Sequence, residues 1–118
     1  MSSIKVNDLD VYFERTAKTN SGPLLYIGGT AGDLRVKPNI LDSSLGKTFE
    51  VIAYDQRGLG QTSKPEGNYT MQNYADDAAG LLDALGIEQI SVLGVSFGGM
   101  VAQEFALRHP HKVTKLVL

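Results

Sequence analysis

EQISVLGVSFGGMVAQEFAL, residues 88–107, changes character partway along. Ile90, Val92, Leu93 and Val95 form an apolar run of strand length, whereas the residues after Phe97 recur at helical spacing. Between the two halves, Gly94-Val95-Ser96-Phe97-Gly98 puts a serine at the junction of strand and helix. To lift a hydroxyl clear of a strand's carboxyl end, the chain must reverse so sharply that the serine takes a strained backbone conformation. That leaves almost no room two residues to either side, and Gly94 and Gly98 are the residues that need none. The helix that follows aims unsatisfied amides and a partial positive charge at whatever the serine attacks, which makes the Phe97 amide a natural oxyanion donor. The plainer alternative is that Ser96 only caps the helix and the glycines only allow close packing of helix on strand.

With 118 residues and 42% hydrophobic content, the chain has enough material for one core and too little for two ordinary domains, so 1–118 reads as a single domain. Net charge is −2 and the basic residues are scattered, which argues against a nucleic-acid or anionic-membrane surface. No apolar run approaches membrane-spanning length and the first residues lack the features of a secretion signal, so a cytoplasmic location is expected. The absence of cysteine excludes disulfides, thiolate metal sites and a cysteine nucleophile.

Taken in order, Ile4 to Val6 and Leu9 to Arg15 read as an antiparallel edge hairpin turning at Asn7-Asp8. Leu24 to Ile27 is a compact strand leading into Gly28-Gly29-Thr30-Ala31-Gly32. Ile40, Leu41 and Leu45 suggest a weak helical stripe ended by Gly46, and Phe49 to Tyr54 returns as a buried strand followed by the turn Asp55 to Gly60. Met71, Tyr74, Ala75, Ala78, Leu81, Leu82 and Leu85 lie at helical spacing, with Thr70 placed to cap and Gly86 to stop. The helix after Ser96 ends at Pro110, and Val113 to Leu118 begins another strand. Strands alternating with helices imply an open, mostly parallel α/β sheet with helices on both faces and an N-terminal antiparallel hairpin. Ligands bind such sheets beyond the carboxyl ends of the strands, so Ser96, the 28–32 loop and the 55–60 turn are expected on one rim.

Together these pieces resemble the α/β-hydrolase family, and within it esterases, enol-lactonases and cofactor-free haloperoxidase-like enzymes. The matching stretches are Leu24 to Gly32, Tyr54 to Thr62 with Pro65, Gly94 to Gly99, and Arg108-His109-Pro110 followed by Val113 to Leu118. The resemblance implies that Ser96 is the nucleophile and that the amides of Phe97 and Thr30 form the oxyanion hole. Gly28 stands where the family often has histidine; the donor is a backbone amide, so the change spares it and is expected to loosen the loop. The family brings its triad in the order serine, acid, histidine. This chain supplies neither acid nor histidine: His109 lies about 18 Å down the helix from Ser96 at ~1.5 Å per residue, and both His109 and His111 read as exposed helix-end residues. The chain therefore resembles the amino-terminal portion of the fold, a truncated α/β-hydrolase without the last strands, a helix on one face, a cap, the acid and the histidine.

The expected activity is hydrolysis of a small-molecule ester or lactone through an acyl-enzyme, inactive in this fragment alone, with no cofactor and no metal. Leu116-Val117-Leu118 is apolar strand sequence, so self-association or pairing with a complementing C-terminal fragment is also expected. Two other readings stay open: a non-catalytic binding or assembly module using that sheet edge, and haloperoxidase-like chemistry on the same fold. Gly46-Lys47-Thr48 lacks the upstream glycine of a phosphate loop, and 28–32 lacks dinucleotide spacing. Asp55 and Arg57 read as a buried ion pair fixing their turn, and Asp76 and Asp77 lie on a helix with no second carboxylate or histidine cluster to make a metal site.

Overall fold

The computed structural model describes residues 2–118 and contains one six-stranded sheet in the order β1-β2-β4-β3-β5-β6. Its strands are β1 (Ser2–Val6), β2 (Leu9–Arg15), β3 (Pro23–Ile27), β4 (Glu50–Tyr54), β5 (Ile90–Gly94) and β6 (Val113–Val117). β1 pairs antiparallel with β2, and β2 with β4, whereas β4, β3, β5 and β6 run parallel. The hairpin turns where expected: Val6 faces Leu9, and Asn7 takes a left-handed φ of 55° that asparagine tolerates better than most residues. β4, EVIAY, is buried at every position because it sits inside the sheet with both faces covered, which is why it reads as a continuous run instead of an alternation.

Two long helices, α2 (Met71–Ala84) and α3 (Phe97–Arg108), pack on one face of the sheet. Thr70 caps α2 by accepting from the Asn73 amide at 3.0 Å, while the Asn73 side chain accepts from the Thr70 amide at 3.0 Å. Gly86, at φ 73°, ends it. Ala75, Ala78, Leu81 and Leu82 of α2 meet Val101, Ala102 and Phe105 of α3 over Leu25, Ile27, Ile52 and Val92 of the sheet, and all of these are fully buried. Burying one such side chain stabilises by about 1.5–3 kcal/mol, so this face supplies most of the driving force.

The other face is thinly covered. A smaller cluster of Tyr12, Leu34 and Ala53 sits there under Ile40 and Leu41. The helical stripe expected around Ile40 to Leu45 is two pieces, a 3-10 turn at Ile40–Asp42 and the single-turn α1 (Leu45–Thr48), and Gly46 lies inside the second instead of ending the first. The reason is local. Asn39 and Asp42 cap each other's backbone, Ser43 is extended, and a Cβ at Gly46 would stand 2.8 Å from the Leu41 carbonyl oxygen, so the segment folds back on itself. Among the described residues, no helix is long and apolar enough to cross a membrane.

Candidate active site

Ser96 follows β5 and precedes α3 with φ 58° and ψ −125°, a conformation an L-residue holds only when its surroundings force it. The surroundings are visible on both sides. A Cβ at Gly94 would lie 2.5 Å from the Gly98 carbonyl oxygen and 2.8 Å from the Ala102 Cβ, and one at Gly98 would collide with the Ile27 and Gly28 carbonyl oxygens. The reversal is tied to the sheet by the Val95 amide, which donates to the Ile27 carbonyl at 3.1 Å. The result is an exposed serine side chain that makes no capping hydrogen bond to α3, so Ser96 does not serve as a conventional helix cap.

The 28–32 loop runs beside that hydroxyl: a Cβ at Gly29 would be 3.5 Å from the Ser96 Cβ and 3.9 Å from its Oγ. Thr30 is exposed at the loop's outer side, and the Gly32 amide closes the turn by donating to the Gly29 carbonyl at 3.2 Å. Phe97 opens α3, so its amide has no intrahelical acceptor. Its ring is held edge-on by Tyr74 at 5.1 Å, and Tyr74 in turn meets Tyr69 at 6.1 Å. The 55–60 turn reaches the same place, because the buried Gln56 donates from Nε2 to the Gly28 carbonyl at 2.8 Å. Ser96, the 28–32 loop and the 55–60 turn thus share the rim that the strand order predicts.

Asp55 and Arg57 do not form the expected pair. Asp55 accepts from the Leu34 amide at 2.8 Å and the Gln61 amide at 2.9 Å, stapling two rim loops together. Burial pushes its carboxyl above its ordinary pKa, with those two amides pulling the other way. Arg57 instead makes a bidentate pair with Asp77 of α2, both contacts 2.9 Å, and stacks 5.7 Å from the centre of the Tyr69 ring. Available donors explain the choice: Asp55 already accepts from two backbone amides, whereas Asp77, nearly fully buried, accepts only from Arg57 among the described residues.

At the far end of α3, His109 is less exposed than its sequence position suggests. Its Nε2 lies 2.9 Å from Asp76, which also accepts two hydrogen bonds from Arg108 at 2.9 and 3.1 Å. The His109–Asp76 pair ties α2 to the end of α3 and lies a helix length from Ser96. His111 is exposed. Among the described residues, no three His, Asp or Glu side chains gather where they could hold a metal ion.

A cleft of about 280 Å³ opens beside Gly29 and Ala31, walled by Tyr26, Leu34, Pro38 and Ile40 and with Asp55 at its base. Its mixed lining suits a small molecule with an apolar body and one or two polar groups.

A family model described as the alpha/beta hydrolase fold matches residues 22–118. A 2-hydroxymuconate semialdehyde hydrolase from Pseudomonas sp. (strain CF600) is 39% identical over 110 residues, covering 88% of this chain and 39% of that protein. The crystal structure of the enol-lactonase from Burkholderia xenovorans LB400 superimposes with a TM-score of 0.86 at 27% identity, over 97% of this chain and 44% of that one. A meta-cleavage product hydrolase from Pseudomonas fluorescens IP01 gives 0.84 at 30% identity, over 100% and 44%. The chain spans less than half the length of each of these relatives.

Proposed function

This chain belongs to the α/β-hydrolase fold family, and from that premise we propose that it carries the nucleophile and oxyanion hole of a serine hydrolase acting on a small ester or lactone. The observation that supports this most is the strained, exposed Ser96, lodged between glycines and beside the Gly29 backbone. In this reading Ser96 Oγ attacks the carbonyl carbon, and the carbonyl oxygen, as it becomes negative, accepts from the amides of Phe97 and Thr30. Collapse of the tetrahedral intermediate expels the alcohol and leaves an acyl-enzyme, which water then hydrolyses. The relatives named for an enol-lactone and for a 2-hydroxymuconate semialdehyde support a small carbonyl substrate.

Attack requires a base for the serine proton, and His109, held by Asp76 at the other end of α3, is not in reach. The base and its orienting acid come from residues beyond this stretch or from a second chain, and the 118 residues alone turn over slowly or not at all. A second reading is favoured by one observation: Leu116, Val117 and Leu118 on and just past the edge strand β6 are 38%, 55% and 63% exposed, a surface suited to recruiting a complementing segment or another copy.

A fluorophosphonate probe, with Ser96→Ala as control, tests both. The expected result is Ser96-dependent labelling and p-nitrophenyl ester turnover that appear, or rise at least a hundredfold, when the chain is extended by, or mixed with, a C-terminal segment of the same fold that carries the acid and the histidine. An extended protein that folds yet neither labels nor turns over ester refutes the hydrolase and favours the assembly module.

A further inference from the structure

We infer that Gln56 is a positioning residue for the oxyanion loop, an inference that rests on the hydrolase reading above. Gly28 and Gly29 have no side chains with which to hold a conformation, yet the Thr30 amide must keep one direction if it is to meet a developing oxyanion. A trans peptide is planar, with its N–H opposed to its C=O, so fixing a carbonyl fixes the amide that shares its plane. The unit carrying the Thr30 amide is fixed at its other end, where the Gly29 carbonyl accepts from Gly32 at 3.2 Å. The preceding unit is fixed by Gln56, whose Nε2 donates to the Gly28 carbonyl at 2.8 Å. On its other side the Gly28 carbonyl rests against Gly98 at the start of α3, so Gln56 presses the loop onto the same turn that strains Ser96.

The cost of Gln56 argues that the contact matters. The residue is 3% exposed, and its Oε1 is buried without a partner among the described residues. A buried acceptor left unpaired is unfavourable, and leucine or methionine would fill the space without it. What neither can do is donate to Gly28. The glycine at position 28, which by itself loosens the loop, is held by a donor reaching in from the end of β4.

The test compares Gln56→Met, which keeps the shape and loses the donor, and Gln56→Glu, which turns an acceptor toward the Gly28 carbonyl, in the form of the protein that labels at Ser96. Arg108→Ala, which removes the two hydrogen bonds to Asp76 at the opposite end of α3 from Ser96, is the stability control. The probe's second-order labelling rate and kcat for a p-nitrophenyl ester should fall about tenfold in Gln56→Met and ten- to a hundredfold in Gln56→Glu, with KM changed less than about twofold. Arg108→Ala should lose stability and keep the wild-type rate. Folded Gln56 variants that label at the wild-type rate overturn the inference, as does a rate loss that Arg108→Ala reproduces. Should either variant not fold, a through-hydrogen-bond NMR coupling between the Gln56 side-chain nitrogen and the Gly28 carbonyl carbon decides in the unaltered protein, and its absence overturns the inference. Wild-type labelling reports on the hydrolase reading and the variant-to-wild-type ratio on Gln56, so the two fail separately.

Discussion

Two adjacent glycines at the start of α3 should respond in opposite ways to the same added methyl group. At Gly98 the new carbon runs into the carbonyl oxygens of Ile27 and Gly28, and neither can swing aside. Ile27 is fully buried with its carbonyl taken by the Val95 amide, and the Gly28 carbonyl is held by Gln56. Restoring contacts of ~3.5 Å requires the helix start to back away by roughly 1–1.5 Å, and overpacking of this kind costs about 1–3 kcal/mol. The helix propensity of alanine returns at most about 1 kcal/mol, so Gly98→Ala should lose about 1–2 kcal/mol. At Gly99 the nearest atoms are the Gly94 carbonyl oxygen at 3.5 Å and Leu118 Cδ2 at 3.9 Å, which is ordinary contact. Gly99→Ala should therefore gain about 0.5–1 kcal/mol. Urea unfolding followed by circular dichroism reads the gap of about 1.5–3 kcal/mol as midpoints separated by roughly 1–2 M. In the labelling-competent protein, the same displacement of at least ~1 Å should cost Gly98→Ala about a hundredfold in rate while Gly99→Ala is unaffected. Coincident midpoints for the two variants would refute the claim that backbone contact at Gly98 sets the Ser96 turn.

Two further outcomes follow from the ion pairs. Asp77→Ala leaves the guanidinium of Arg57 buried with only the exposed Asp8 at 3.7 Å, and should cost about 3 kcal/mol in chemical denaturation; replacing both partners with apolar residues of similar size should recover most of it. The Asp76 carboxyl is held below its ordinary value of 3.8, first by Arg108 and then by His109. A depressed carboxylate contributes stability that is present above its unfolded pKa and is lost as pH falls through the folded one. Asp76→Asn should therefore be less stable than wild type at neutral pH, by no more than about 1 kcal/mol because the pair is partly exposed, and the two proteins should converge in stability as the pH falls below that ordinary value.

The strand order and the site were not equally legible in the sequence. Ser96 with its flanking glycines could be read because backbone strain requires particular residue types at fixed spacing, and the Thr70 to Gly86 helix because its caps and its apolar period agree. Residues 33–48 could not: the segment is shaped by Asn39 and Asp42 capping each other and by the close approach of Gly46 to Leu41, contacts with no periodic trace. The partners of Asp55 and Arg57 were also out of reach, since Leu34 and Asp77 are about twenty residues away on opposite sides in sequence. Gln56 had no local signal at all. Its meaning lies in a carbonyl 28 residues earlier, brought beside it because β3 and β4 are neighbours in the sheet.

A physical division runs through the proposed site. The features that present the hydroxyl and the oxyanion donors are made of backbone: a left-handed serine, an amide with no intrahelical acceptor, and a loop whose carbonyls are held at Gly28 and Gly29. Backbone geometry is fixed by steric contact and hydrogen bonding inside one sheet, so β3, β4, β5 and the start of α3 are sufficient to build it. Proton transfer, by contrast, needs a side chain whose basicity matches the working pH and which stands within about 3 Å of the hydroxyl. The nearest histidine is committed to Asp76 at the opposite end of α3. On the proposed reading, the stretch arranges an electrophile's oxygen and leaves removal of the serine's proton to a base supplied from elsewhere. A fluorophosphonate, whose phosphorus is far more electrophilic than an ester carbon, should reveal this asymmetry: residual Ser96 labelling in the 118-residue chain without measurable ester hydrolysis is the pattern expected of a preformed oxyanion hole lacking its base.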